Sequence, residues 1–158
     1  MKLHIQLSRM SALYHDFSHS LGHLTGKTHR LLVGKFNRSL AEAGLEITAE
    51  QWVILGQLWN EDGLTQEALC RVTCLEKSSL SRLLDGLEGK GLIERRKDER
   101  DARCNRIFLV ENAEPLRDKS LDIVNEIIQM AQRGIPQDKL DLCRGVLLAM
   151  QKNLLSAE

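Results

Sequence analysis

The sequence predicts a mainly α-helical fold with one small β-hairpin, and three observations carry that prediction. Apolar residues recur at helical spacing through most of the 158 positions. The period changes to two over a single segment between Leu92 and Val110, and a charged loop splits that segment. Hydrophobic residues make up 42% of the chain and charged residues 28%, ordinary globular usage that excludes a fibrous repeat or a disordered chain. The formal net charge is zero. Any contact with a polyanion must therefore arise from uneven placement of charge rather than from overall basicity.

Residues 1–19 read as an N-terminal extension. From Ser20 to Ala43, the residues Leu21, Leu24, Leu31, Leu32, Phe36 and Leu40 recur as on one face of a long helix, which Gly44 stops. Thr48 and Gln51 have the spacing of a capping box, so a second helix runs from Ala49 to Trp59 with Trp52, Leu55 and Trp59 inward. Gly63-Leu64-Thr65 marks a turn, and Thr65 caps a short helix through Ala68, Leu69 and Val72. After a break near Cys74, Leu80, Leu83, Leu84 and Leu87 give another amphipathic helix, closed by Gly89 and Gly91.

Leu92–Arg96 and Asn105–Val110 read as two strands around the loop Lys97–Arg103, and the stretch RRKDERDARCNR packs six basic and three acidic residues into this hairpin. Leu116–Gln132 and Lys139–Leu155 are two last helices, separated by Gly134-Ile135-Pro136. Two short helices, a tight turn and a hairpin in that order make a winged helix-turn-helix, whose second helix enters the DNA major groove with the hairpin beside it. The polar face of that second helix carries Lys77, Ser78, Ser79, Ser81 and Arg82. The cations suit phosphates and guanine acceptors, and the short hydroxyls allow close approach to base edges.

The stretches Leu64-Thr65-Gln66, KSSLSRLLDGLEGKGLIERR from Lys77 to Arg96, and Asp98-Glu99-Arg100-Asp101-Ala102-Arg103 resemble the MarR (multiple antibiotic resistance regulator) family, the last matching its D-x-R-D-x-R wing signature. The resemblance implies a DNA-binding domain over residues 45–111 and a helical dimerisation region over 20–44 and 112–158. It implies DNA contacts from Thr65, Gln66, Arg96 and the wing arginines Arg100 and Arg103, with Asp98 and Asp101 supporting the wing. It further implies a homodimer on a pseudo-palindromic double-stranded operator, acting as a repressor that a small aromatic or phenolic effector releases, with Trp52 and Trp59 as candidate pocket residues. A metal- or redox-responsive regulator of the same fold and a winged helix used for protein contact are the alternatives. The chain departs from the family pattern at Cys74, where a turn glycine is common, at Glu76, where a better N-cap is usual, and at Val110-Glu111, which moves the start of the next helix to about Asn112.

Other patterns carry less. Gly26-Lys27-Thr28 lacks the upstream glycine register of a phosphate-binding loop, and the sequence around it is helical. His15, His19 and His23 share a helical face but have no companion cysteine, so no metal or other cofactor is expected. Cys70, Cys74, Cys104 and Cys143 read as four thiols in a reducing compartment. No nucleophile with its base survives a spacing test, which argues against an enzyme. The N-terminus lacks the unbroken apolar core of a secretory signal, and no apolar run approaches the roughly 20 residues that span a bilayer, so a cytoplasmic protein with no membrane contact is expected.

Overall fold

The computed structural model describes residues 17–98 and 104–156. His15, Arg100, Asp101 and Arg103 lie outside the described residues. The first long helix, α1 (Leu21–Glu42), is capped by Ser20, whose hydroxyl accepts from the His23 amide at 3.3 Å. Of its expected apolar face only Phe36 and Leu40 are buried; Leu21, Leu24 and Leu31 are exposed. The sequence Gly26-Lys27-Thr28 lies inside this helix and forms no loop.

Helix α2 (Ala49–Asn60) starts with the expected capping box, in which Thr48 and Gln51 exchange bonds between side chain and backbone. Its inward residues are Ile54, Leu55 and Leu58. Trp52 and Trp59 are only half-buried, a correction to the inward placement, because seven residues apart they lie side by side, about 100° round the helix from the centre of the buried stripe of Gln51, Ile54, Leu55 and Leu58. Gly63 then turns the chain with φ +75°, and Leu64–Thr65 forms a two-residue strand, β1, where the sequence reads only as a turn. Two residues are too few to display a period; pairing with a distant strand makes them a strand.

Thr65 is also the N-cap of α3 (Gln66–Thr73), its hydroxyl accepting from the Ala68 amide at 3.1 Å. Leu69 is fully buried, whereas Val72 is exposed on this eight-residue helix. Helix α4 (Lys77–Gly89) buries Leu80, Leu84 and Leu87 completely. Gly86 permits its close packing on α2, since a Cβ there would lie 2.7 Å from the Gln51 amide nitrogen. Lys90 ties the same ends together, donating to Gln51 Oε1 at 3.0 Å and to the Glu46 carbonyl.

Strands β2 (Ile93–Lys97) and β3 (Asn105–Leu109) form the hairpin, with Ile93 opposite Leu109 and Lys97 opposite Asn105. β1 adds to the other edge of β3, Thr65 opposite Arg106, so the sheet is antiparallel in the order β1-β3-β2. A 3-10 turn over Glu111–Ala113 leads into α5 (Glu114–Gln132). The helix expected from Asn112 thus starts two residues later, because Ala113 is buried at the end of the tighter turn.

The chain divides between Ile123 and Val124 into two compact units. The second holds the end of α5, a turn with Gly134 at φ +77°, and α6 (Gln137–Leu155). Helix α6 has no buried residue, and Leu142, Val146, Leu148, Leu154 and Leu155 are exposed on it. Among the described residues no helix is long and apolar enough to cross a membrane. The core argument predicts that Leu84→Ala costs about 2 to 5 kcal/mol of stability in chemical denaturation, while Val72→Ala stays within about 0.5 kcal/mol. Equal costs at the two positions would contradict the assignment of the buried face.

Candidate nucleic-acid interface

The turn between α3 and α4 is made by Cys74, the one non-glycine residue with positive φ among the described residues, at φ 53° and ψ 28°. A residue with a Cβ thus takes the left-handed conformation that glycine adopts at no steric cost. Helix α4 begins after Glu76, which gives no side-chain cap. Its first amides are left to other partners, and this end of the helix presents positive potential.

The burial of Leu80, Leu84 and Leu87 turns the opposite face of α4 to solvent. Lys77, Ser78, Ser79 and Arg82 are exposed there, and Ser81 is half-buried. Neither Lys77 nor Arg82 forms an ion pair among the described residues. Thr65 and Gln66 are half-buried at the start of α3.

The hairpin is fastened by two arginines that the sequence reading does not single out. Arg95, only 19% exposed, reaches from β2 to α4, where it donates to Asp85 at 2.6 Å and also binds Glu88. Glu88 in turn accepts from the Arg95 amide at 3.2 Å. Arg106 on β3 binds the buried Asp98 and donates to the Gly63 carbonyl at 2.9 Å. Asp98 sits diagonally across the ladder from Arg106, and its amide donates to the Cys104 carbonyl at 3.0 Å, closing the described end of the hairpin. A diagonal cross-strand pair follows from the strand register, and that register is not encoded in either strand's own pattern.

Arg96 alternates with Arg95 and so lies on the other face of the sheet, away from α4. Its guanidinium is 4.5 Å from the Phe108 ring centroid and also binds Glu94. Phe108 fills the space a side chain at Gly63 would need, a Cβ there lying 2.7 Å from the ring.

A second concavity lies between α2 and the first half of α5. Trp52, Gly56, Trp59, Asn60, Arg117 and Leu121 line a cleft of about 300 Å³. Trp52 is fixed by an edge contact with Phe36, 5.2 Å between centroids, and by donating from Nε1 to Ser120 Oγ at 2.8 Å. The indole N–H of Trp59 is buried and finds no hydrogen-bond partner among the described residues. An unmet buried donor costs about 1 to 3 kcal/mol. No group of three histidine, cysteine or acidic residues able to hold a metal exists among the described residues, so His19 and His23 build no such site there.

A helix-turn-helix with an exposed Lys-Ser-Ser-Arg face and a hairpin clamped beside it defines a winged-helix DNA-binding protein. Residues 47–105 match the family model described as MarR family. The transcriptional regulator PA3341 is 31% identical, with 87% of this chain and 99% of that one covered and a TM-score of 0.74. A MarR transcriptional regulator from Methanosarcina mazei Go1 is 23% identical, with 87% and 98% covered and a TM-score of 0.78. BpsR of Bordetella bronchiseptica, whose DNA binding is regulated by 6-hydroxynicotinic acid, is 19% identical, with 85% and 95% covered and a TM-score of 0.77. The chain belongs to the MarR family, which consists of DNA-binding transcription regulators rather than enzymes.

The geometry of the hairpin predicts that Arg106→Ala speeds hydrogen exchange of the Asp98 amide by at least about tenfold and leaves amides of α1 unchanged. Unaltered exchange at Asp98 would mean that the Arg106 bridge does not hold the hairpin closed.

Proposed function

We propose that the protein is a homodimeric transcriptional repressor that reads a pseudo-palindromic operator in the cytoplasm and is released by a small aromatic ligand. One observation carries the reading: α4 exposes Lys77, Ser78, Ser79 and Arg82 on a face whose reverse is fully buried leucine, so the helix is held rigidly with its polar side outward. In this reading Lys77, Ser78, Ser79, Ser81 and Arg82 meet base edges and phosphates in the major groove, and Thr65 and Gln66 meet the backbone. Arg100 and Arg103 enter the minor groove from the wing, where narrow A·T-rich segments concentrate negative potential. Arg96 adds to the backbone contacts, and Asp98 and Asp101 support the wing.

Residues 45–111 then form the DNA-binding domain, and residues 20–44 with 112–158 the dimer region. Support for pairing comes from Leu21, Leu24 and Leu31 on α1 and from Leu142, Leu148, Leu154 and Leu155 on α6, apolar side chains left exposed in one chain. A two-fold dimer doubles the few base pairs that one helix reads and matches a palindromic site.

The ligand is assigned to the cleft between Trp52 and Trp59. The unmet Trp59 N–H supplies a hydrogen bond that an acceptor on a bound molecule satisfies, and Arg117 favours an anionic substituent. Release requires that the ligand bind the DNA-competent and incompetent arrangements unequally.

The first test is to capture fragments of the source organism's DNA at moderate salt and sequence what is retained; a recurring pseudo-palindrome is expected, and no enrichment by folded dimer would refute the reading. On that operator, Arg82→Ala and Arg100→Ala should each weaken binding by about 1 to 3 kcal/mol with the dimer intact. Wild-type affinity in both variants would refute the groove contacts. Titration with 6-hydroxynicotinic acid as a first probe should change the tryptophan emission of the wild type, and the effect should weaken in Trp59→Phe by about tenfold in apparent affinity. An identical titration in Trp59→Phe would remove Trp59 from the ligand site.

A further inference from the structure

Opposite charges are segregated onto two long helices of a chain whose net charge is zero. Helix α1 carries Lys27, Arg30, Lys35 and Arg38, and it has no acidic residue before Glu42. Helical spacing puts Lys27 and Arg38 on the side opposite the buried Phe36, with Arg30 and Lys35 to either side of them. Helix α5 carries Glu114, Asp118, Asp122 and Glu126 at four-residue steps, with Asp118 and Asp122 opposite the buried Ser120. All eight residues are exposed, and none forms an ion pair among the described residues. At roughly 1.5 Å of rise per residue the cationic row is about 16 Å long and the anionic row about 18 Å.

A solvated helix face usually alternates its signs at this spacing, as Glu67 and Arg71 do on α3. The two rows do the reverse. Successive carboxylates on α5 stand four residues apart, and Lys27 with Arg30 and Lys35 with Arg38 stand three apart, so each row repels itself. Countercharge has to come from outside the row.

We infer that the cationic row of α1 in one subunit pairs with the anionic row of α5 in a second copy of this chain. The inference rests on the homodimer reading above and adds the chemistry by which one subunit selects the other. A two-fold interface sets residue i against j and j against i, so the surface must complement itself. Either row alone would repel its symmetry mate, whereas one row of each sign on the same chain satisfies the symmetry twice. The nearly equal lengths of the rows allow them to lie in register. Leu24 and Leu31, exposed on the cationic side of α1, supply apolar area among the charges. Complementary rows of this kind fix which way round two subunits meet and reject wrong arrangements, where like charges would face each other.

The test uses the full-length protein and sedimentation equilibrium, first without DNA. Raising sodium chloride from about 50 to about 500 mM should weaken the wild-type dimer by at least about tenfold. Lys27→Glu/Arg38→Glu reverses the centre of the α1 row, and Asp118→Lys/Asp122→Lys reverses the centre of the α5 row. Each variant alone should dimerise at least about a hundredfold more weakly than the wild type. Mixed in equal amounts, the two should form a heterodimer of near wild-type affinity, identified by its mass, because the reversed rows face each other and so do the unreversed ones. Rescue by mixing also excludes misfolding as the cause of the weakening, since a chain that had lost its fold would pair with nothing. A wild-type dimer indifferent to salt, variants that dimerise like the wild type, or a mixture that pairs no better than either variant alone overturns the inference and leaves the homodimer reading standing. A monomeric wild-type chain refutes both. Unchanged dimerisation of Lys27→Glu/Arg38→Glu with weaker retention of non-specific DNA would assign the α1 row to a polyanion and overturn the pairing.

Discussion

The buried leucine face of α4 is the constraint on which the remaining structure depends. Leu80, Leu84 and Leu87 are fully buried, and full burial of each leucine stabilises by about 1.5 to 3 kcal/mol, enough to fix the rotation of a thirteen-residue helix about its axis. That rotation decides which residues face outward. Gly86 and Gln51 set how closely α4 approaches α2, and Lys90 joins their ends through the Gln51 side chain and the Glu46 carbonyl. Loss of the leucine face would free the Lys77–Arg82 side chains to point anywhere, and the single exposed polar face of the helix would be lost.

The hairpin depends on the same helix. Arg95 carries the connection, since its low exposure and three carboxylate contacts to Asp85 and Glu88 place it beyond the weak, screened ion pairs of an open surface. Arg106 makes a second connection, from Asp98 to the Gly63 carbonyl, so the hairpin is tied both to α4 and to the turn that begins β1. The charged stretch therefore divides its labour: Arg95 and Arg106 are occupied in holding the wing, and Arg96 lies over Phe108. Counting six basic residues overstates the charge available to a polyanion.

Two clefts in the same fold have different physical character. The one between α2 and α5 is bordered by indole rings, one satisfied by Ser120 and one not. The other, at the beginnings of α3 and α4, carries thiols. The first cleft is lined by α2, the helix against which α4 packs, while Lys77 of α4 itself lines the second.

The sequence by itself determined the helices, their caps and the class of fold, because those rest on local chemistry. The capping box at Thr48 and Gln51, the leucine repeat of α4 and the change of period at Leu92 are each complete within a short window. It also marked Lys77, Ser78, Ser79 and Arg82 as one polar face, since a helical period alone fixes that. What the sequence could not decide were the relations between distant residues. β1 exists only because Thr65 pairs with Arg106, and Trp52 and Trp59 border a cleft because they share a side of α2 flanking its buried stripe, where Arg117 and Leu121 of α5 also line it. The partners of Arg95 and Arg106, and the cleft that Cys70 and Cys104 both line, likewise follow from how α3, α4 and the hairpin pack. Such contacts join residues between seven and several tens of positions apart, and no local periodicity encodes them; only the tertiary path of the chain brings them together.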